Sequence, residues 1–147
     1  MIPILIVDDV KEDLLLAERV FRQSKIVNPI DLVSSGAACV EYLENQCRPK
    51  EGVKTRCCLL FLDLGMAPMT GVQTMEAINE LVLESKPWII MLSGMTDVKQ
   101  IQRGYELGAR TFINKPLRAE EVNEFVENNR GSIRRQMTSE GYQLHWM

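Results

Sequence analysis

Cys58-Leu59-Leu60-Phe61-Leu62-Asp63 is a short, unbroken apolar run closed by a carboxylate and followed by Gly65, Pro68 and Gly71. A strand with one wet face alternates apolar and polar residues, so a run without alternation predicts a central strand buried on both faces. Asp63 then stands at the carboxyl end of that strand. In open α/β sheets ligands bind outside that end, which makes a lone carboxylate there a candidate for chemistry. The plain alternative is that Asp63 caps the helix that follows.

Working outward, Ile4-Leu5-Ile6-Val7 repeats the pattern and ends in Asp8-Asp9. Lys11 to Gln23 carries apolar Leu14, Leu15, Ala17, Val20 and Phe21 among charged residues and predicts an amphipathic helix. Asn28-Pro29 breaks it, Ile30 to Val33 is a brief strand, and Ala37 to about Asn45 is a second helix. Gln46 to Arg56 is a polar, mostly basic connection whose charges read as a solvated surface. Beyond the loop from Gly65 to Gly71 come a helix over Val72 to Leu83 and a buried strand over Trp88 to Leu92 closed by Ser93-Gly94. Thr96 or Asp97 can cap a helix running to Leu107, which Gly108 stops. Arg110 to Ile113 is a fifth strand ending at Asn114-Lys115-Pro116, and Ala119 to about Arg135 reads as the last helix, acidic at its start and basic at its end.

Five strands alternating with five helices predict an α/β domain with a parallel sheet covered on both faces. The expected domain is 1–130, with 131–147 as the end of the last helix and a short tail. Tyr142, Leu144, Trp146 and Met147 in that tail either dock or stay disordered. A net charge of -3 gives no global attraction to nucleic acid or anionic lipid. The apolar start is too short for a membrane span and runs into Asp8-Asp9, so it reads as a strand and not a leader. Cys39 falls in a helical pattern and Cys57-Cys58 lead into a buried strand. Reduced thiols in a cytoplasmic protein are therefore expected. With His145 as the only histidine, a sulfur metal site is not.

If all strands run the same way, Asp8, Asp9, Asp63, Ser93 and Lys115 gather on one sheet edge. Crowded carboxylates repel one another and call for a divalent cation, and magnesium suits hard oxygen ligands that a phosphate completes. A carboxylate beside magnesium can attack phosphorus and form an aspartyl phosphate, with an ammonium and a hydroxyl neutralising the phosphoryl oxygens.

These residues, from Ile4 to about Asn128, resemble the receiver domain of two-component response regulators, a flavodoxin-like fold with strand order 2-1-3-4-5. The long connection before the central strand is similar to that of stand-alone receivers paired with bacterial phytochromes. The resemblance implies that Asp8 and Asp9 hold Mg2+ together with Asp63 and the backbone carbonyl of Gly65. It implies further that Asp63 is the phosphoacceptor, with Ser93 and Lys115 contacting the phosphoryl group. Lys115-Pro116 would be a cis peptide, and Ser93 with Phe112 would form the conformational switch. The implied partners are a sensor histidine kinase or histidine phosphotransfer protein and a downstream protein. That target would read the face made by the fourth helix, fifth strand and fifth helix, where a second copy can also pair. The loop Asp63-Leu64-Gly65-Met66-Ala67-Pro68-Met69-Thr70-Gly71 carries its proline one place later than the family's usual pattern, and Gly65 brings no side chain to a position that influences hydrolysis of the phosphate.

Three rivals stand beside this reading. A haloacid-dehalogenase-type phosphatase needs a second aspartate two residues after the nucleophile, where this chain has Gly65. A receiver-shaped interaction module would need none of the five site residues. A DNA-binding regulator would use Arg130, Arg134 and Arg135, which read instead as dipole partners at a helix end.

Overall fold

A computed structural model describes residues 1–47, 57–94 and 98–147. The elements are β1 (Ile4–Val7), α1 (Lys11–Gln23), β2 (Ile30–Val33), α2 (Gly36–Gln46), β3 (Leu59–Asp63), α3 (Gly71–Glu80), β4 (Trp88–Ser93), α4 (Val98–Glu106), β5 (Thr111–Asn114), α5 (Ala119–Asn128), β6 (Ile133–Thr138) and β7 (Gly141–Trp146). The first five strands form one parallel sheet in the order β2-β1-β3-β4-β5, the flavodoxin-like arrangement. β3 sits at its centre and every residue of it is buried.

Successive strand residues point to opposite faces, and that alternation sorts the core into two halves. Ile4 and Ile6, Leu59 and Phe61, Ile90 and Leu92, and Ile113 pack on one face beneath Leu14, Ala17, Val20 and Phe21 of α1 and Val122, Phe125 and Val126 of α5. Leu5 and Val7, Leu60 and Leu62, and Ile89 and Met91 pack on the other, beneath Cys39 and Leu43 of α2 and Met75 and Ile78 of α3. By the same parity Asp8, Asp63 and Lys115 leave their strands on the α1/α5 face. Ser93 and Phe112 leave theirs on the α2/α3/α4 face.

The chain after Asn128 departs from the expectation of a helix reaching Arg135. α5 ends at Asn128, and residues 133–146 form an antiparallel hairpin, β6 with β7. Tyr142, Leu144 and Trp146 alternate with Gln143 and His145, a period of two that a helix cannot use. Ile133, Tyr142 and Leu144 join the α1/α5 core. Arg134 and Arg135 therefore lie exposed on β6 and are not helix-end residues, while Arg130 pairs with Glu127. Gly141, at φ +154°, is needed because a Cβ there would lie 2.1 Å from the Lys25 carbonyl oxygen. Of the two outcomes left open for the tail, docking is the one observed: residues 133–146 pack on the amino end of the domain.

Other boundaries move less. α3 stops at Glu80 rather than Leu83, and Leu15, read as an inward position of α1, is exposed. Cys47 and Cys57 form a disulfide, with Cα atoms 5.4 Å apart, which corrects the expectation of four reduced thiols. The fold brings the end of α2 beside the approach to β3, so the two cysteines meet although ten positions separate them. Cys39 and Cys58 are free and buried, and burial pushes both thiols up to about 12. The central part of the basic connection, 48–56, and the caps expected at Thr96 or Asp97 lie outside the described residues. Among the described residues no helix is long and apolar enough to cross a membrane.

Candidate functional site

The carboxyl edge of the sheet opens into a cavity of about 460 Å³ lined by Asp8, Asp9, Asp13, Asp63, Gly65 and Lys115, with Leu16 and Pro116 on its apolar side. Asp8, directly after β1, and Asp63, the last residue of the neighbouring β3, are buried, whereas Asp9 is exposed. Each of these three carboxylates offers an oxygen within 4.8 Å of the others. Ligand oxygens of a six-coordinate Mg2+ lie about 2.0–2.1 Å from the ion, hence no more than about 4.2 Å apart, so small side-chain rotations make the three a fitting set.

Each carboxylate is held in place locally. Asp8 Oδ1 accepts the Val10 N–H at 2.9 Å, Asp63 Oδ1 accepts the Gly65 N–H at 3.1 Å, and Asp9 Oδ2 accepts the Ala67 N–H at 3.2 Å. The last bond ties the loop after β3 to the strand end of β1. Gly71 lets that loop close, since a Cβ there would lie 2.6 Å from the Asp63 carbonyl oxygen and from Leu64 Cα. The helix that follows is capped by Thr70, in a reciprocal pair of hydrogen bonds with Gln73. Asp63 is therefore not a helix cap. Nor is Asp9, because Val10 occupies the cap position of α1.

Lys115 reaches into the cluster from the end of β5. Its Nζ lies 2.5 Å from Asp8 Oδ2, 2.9 Å from Asp13 Oδ2 and 3.5 Å from Asp63 Oδ2. Burial works to lower its ammonium, but hydrogen bonds to Asp8 and Asp13 and the charges of Asp63 and Asp8 outweigh burial and hold it above its ordinary value. Burial pushes the Asp63 carboxyl up, and the Asp8 charge adds to this against the opposing pull of the Gly65 N–H and Lys115. The peptide between Lys115 and Pro116 is cis, as is the one between Ala67 and Pro68.

The family model for the response regulator receiver domain matches residues 4–127. This chain belongs to that family. Among solved structures, the chemotaxis protein CheY4 of Vibrio cholerae is 19% identical, with 87% of this chain and 98% of that one covered and a TM-score of 0.70. The bacteriophytochrome response regulator RtBRR is 25% identical, with 87% and 78% covered and a TM-score of 0.69, and AtBRR is 22% identical, with 87% and 91% covered and a TM-score of 0.68. This chain shares their architecture.

Within the receiver frame, Asp8, Asp9, Asp63 and Lys115 come together at one site, as the strand-end argument requires. Ser93 is buried on the adjoining α2/α3/α4 side, where Leu64, Gly65, Met66 and Thr70 line a smaller cavity with it. Phe112, half-buried, pairs with Met91, and Ser93 pairs with Asn114, so Phe112 lies one pleat below Ser93 on the same face. A side chain at Gly65 would meet only Asp63 Oδ1, at 3.6 Å, leaving that position open. Asp13 was not visible as a site residue from sequence. It is one of two acids in the first turn of α1, and only the parity that turns Lys115 toward α1 singles it out.

Proposed function

We propose that this receiver accepts a phosphoryl group on Asp63 from the phosphohistidine of a sensor histidine kinase or a histidine phosphotransfer protein. The convergence of Asp8, Asp9, Asp63 and Lys115 on one sheet edge is the observation that carries this reading. A carboxylate oxygen of Asp63 attacks phosphorus in line, the new O–P bond forms as the N–P bond breaks, and the donor imidazole leaves with the electron pair. Asp8, Asp9, Asp63 and the Gly65 carbonyl would hold Mg2+, which when bound offsets charge on the phosphoryl oxygens. The Lys115 ammonium and the Ser93 hydroxyl serve the remaining oxygens.

The added dianion draws Ser93 inward and lets Phe112 enter the vacated space, altering the α4-β5-α5 face read by a downstream protein or a second copy. Two states separated by a few kcal/mol suffice for such a switch. The protein's own chemistry is limited to its phosphorylation and dephosphorylation. The likeness to RtBRR makes a phytochrome-type sensor kinase the first donor to try.

Incubation with phosphoramidate, whose N–P bond mimics phosphohistidine, and Mg2+ tests the reading by intact mass. A single phosphoryl gain is expected for the wild type, with none for Asp63→Asn or without Mg2+. A wild type that stays unmodified would favour a pure interaction module.

A further inference from the structure

Lys115 has three carboxylates within reach, and two of them, Asp8 and Asp63, belong to the set proposed to hold Mg2+. Their oxygens are largely spoken for already. One oxygen of Asp8 takes the Val10 N–H and the other takes Lys115, while Asp63 divides its oxygens between the Gly65 N–H and Lys115 in the same way. A cation drawing on both carboxylates competes directly with the ammonium, and like charges brought this close repel. Lys115 is only 19% exposed and needs a remaining partner.

Asp13 meets that need. It lies outside the three-carboxylate set, its Oδ2 is 2.9 Å from Nζ, and it is 39% exposed at the mouth of the cavity. It comes from the first turn of α1, the helix that covers the face toward which Lys115 points. Resting on the phosphoacceptor reading above, we propose that Asp13 is a positioning residue, which retains Lys115 at the cavity mouth when the cation enters. Without it, Lys115 has, among the described residues, only the metal-binding carboxylates to pair with and opposes the ion.

Calorimetric titration of Mg2+ into the unphosphorylated protein tests this without any phosphodonor. Asp13→Asn should bind Mg2+ roughly fivefold more weakly than the wild type, the scale of a partly exposed ion pair. Glu12→Gln gauges the loss of one charge from the same helix turn, because Glu12 is exposed and no ion pair to Lys115 is found for it among the described residues. Its effect should be clearly smaller. In a Lys115→Met background Mg2+ should bind more tightly, and Asp13→Asn should then lose at least half its effect. Additive effects, or equal effects of Asp13→Asn and Glu12→Gln, overturn the positioning role and leave the phosphoacceptor reading intact. Failure of the wild type to bind Mg2+ at all overturns both.

Discussion

The two ends of the sheet are built on opposite terms. At the carboxyl end, buried Asp8 and Asp63 face each other with one lysine between them, and burial raises the Asp63 carboxyl. At the amino end the buried polar group is Asn28, fully satisfied: its side chain donates to the carbonyls of Ile2 at 2.8 Å and Leu144 at 2.9 Å and accepts the Leu144 N–H at 2.8 Å. Around it the hairpin seals the core, with Trp146 against Trp88 at 5.2 Å and Arg110 over Trp88 at 4.0 Å. One end gains stability from its polar groups and the other gives some up. Negative charge left incompletely offset at the carboxyl end is what a cation can neutralise.

That contrast breaks most visibly at the hairpin. Removing residues 131–147 strips Ile133, Tyr142 and Leu144 from the core and takes the Leu144 partners from Asn28, which keeps its bond to Ile2. A loss of about 5 kcal/mol or more in urea unfolding is expected, from three buried side chains and their hydrogen bonds. A truncated protein as stable as the full chain would show that the domain ends near residue 130 after all. Next, Asn28→Ala should cost about 3 kcal/mol by taking the partner of the buried Ile2 carbonyl and Leu144 N–H, with phosphorylation at low temperature unchanged.

Reducing the Cys47–Cys57 bridge should lower stability by about 2.5 kcal/mol, the scale for a ring of this size, read as the shift in urea midpoint with and without a thiol reductant. The smallest effect has the opposite sign. Because folding raises the Asp63 carboxyl, the native state binds its proton more tightly than the unfolded chain. Stability is therefore lost as pH rises from the ordinary carboxylate range through the raised one. Asp63→Asn should stabilise the protein modestly at neutral pH and remove that part of the pH dependence, as followed by thermal unfolding.

Much of the carboxyl end was legible in the sequence because strand ends are local signals: β1 stops just before Asp8 and β3 at Asp63, and parallel topology does the rest. Lys115 could be placed for the same reason. The amino end was not legible, since β6 and β7 owe their place to Asn28 and Lys25, more than a hundred positions earlier. The basic residues from Arg130 to Arg135 also fit a helix end on charge alone. The alternation of Tyr142, Leu144 and Trp146 was the available clue. The disulfide depends on how α2 meets β3, which spacing does not reveal, and Asp13 looks like any acid in a helix's first turn.

Borohydride reduction after phosphodonor treatment converts an aspartyl phosphate to homoserine, and tandem mass spectrometry locates it. Homoserine is expected at position 63 alone and only when Mg2+ is present. Homoserine at position 8, 9 or 13, or none at any position, would contradict Asp63 as the phosphoacceptor.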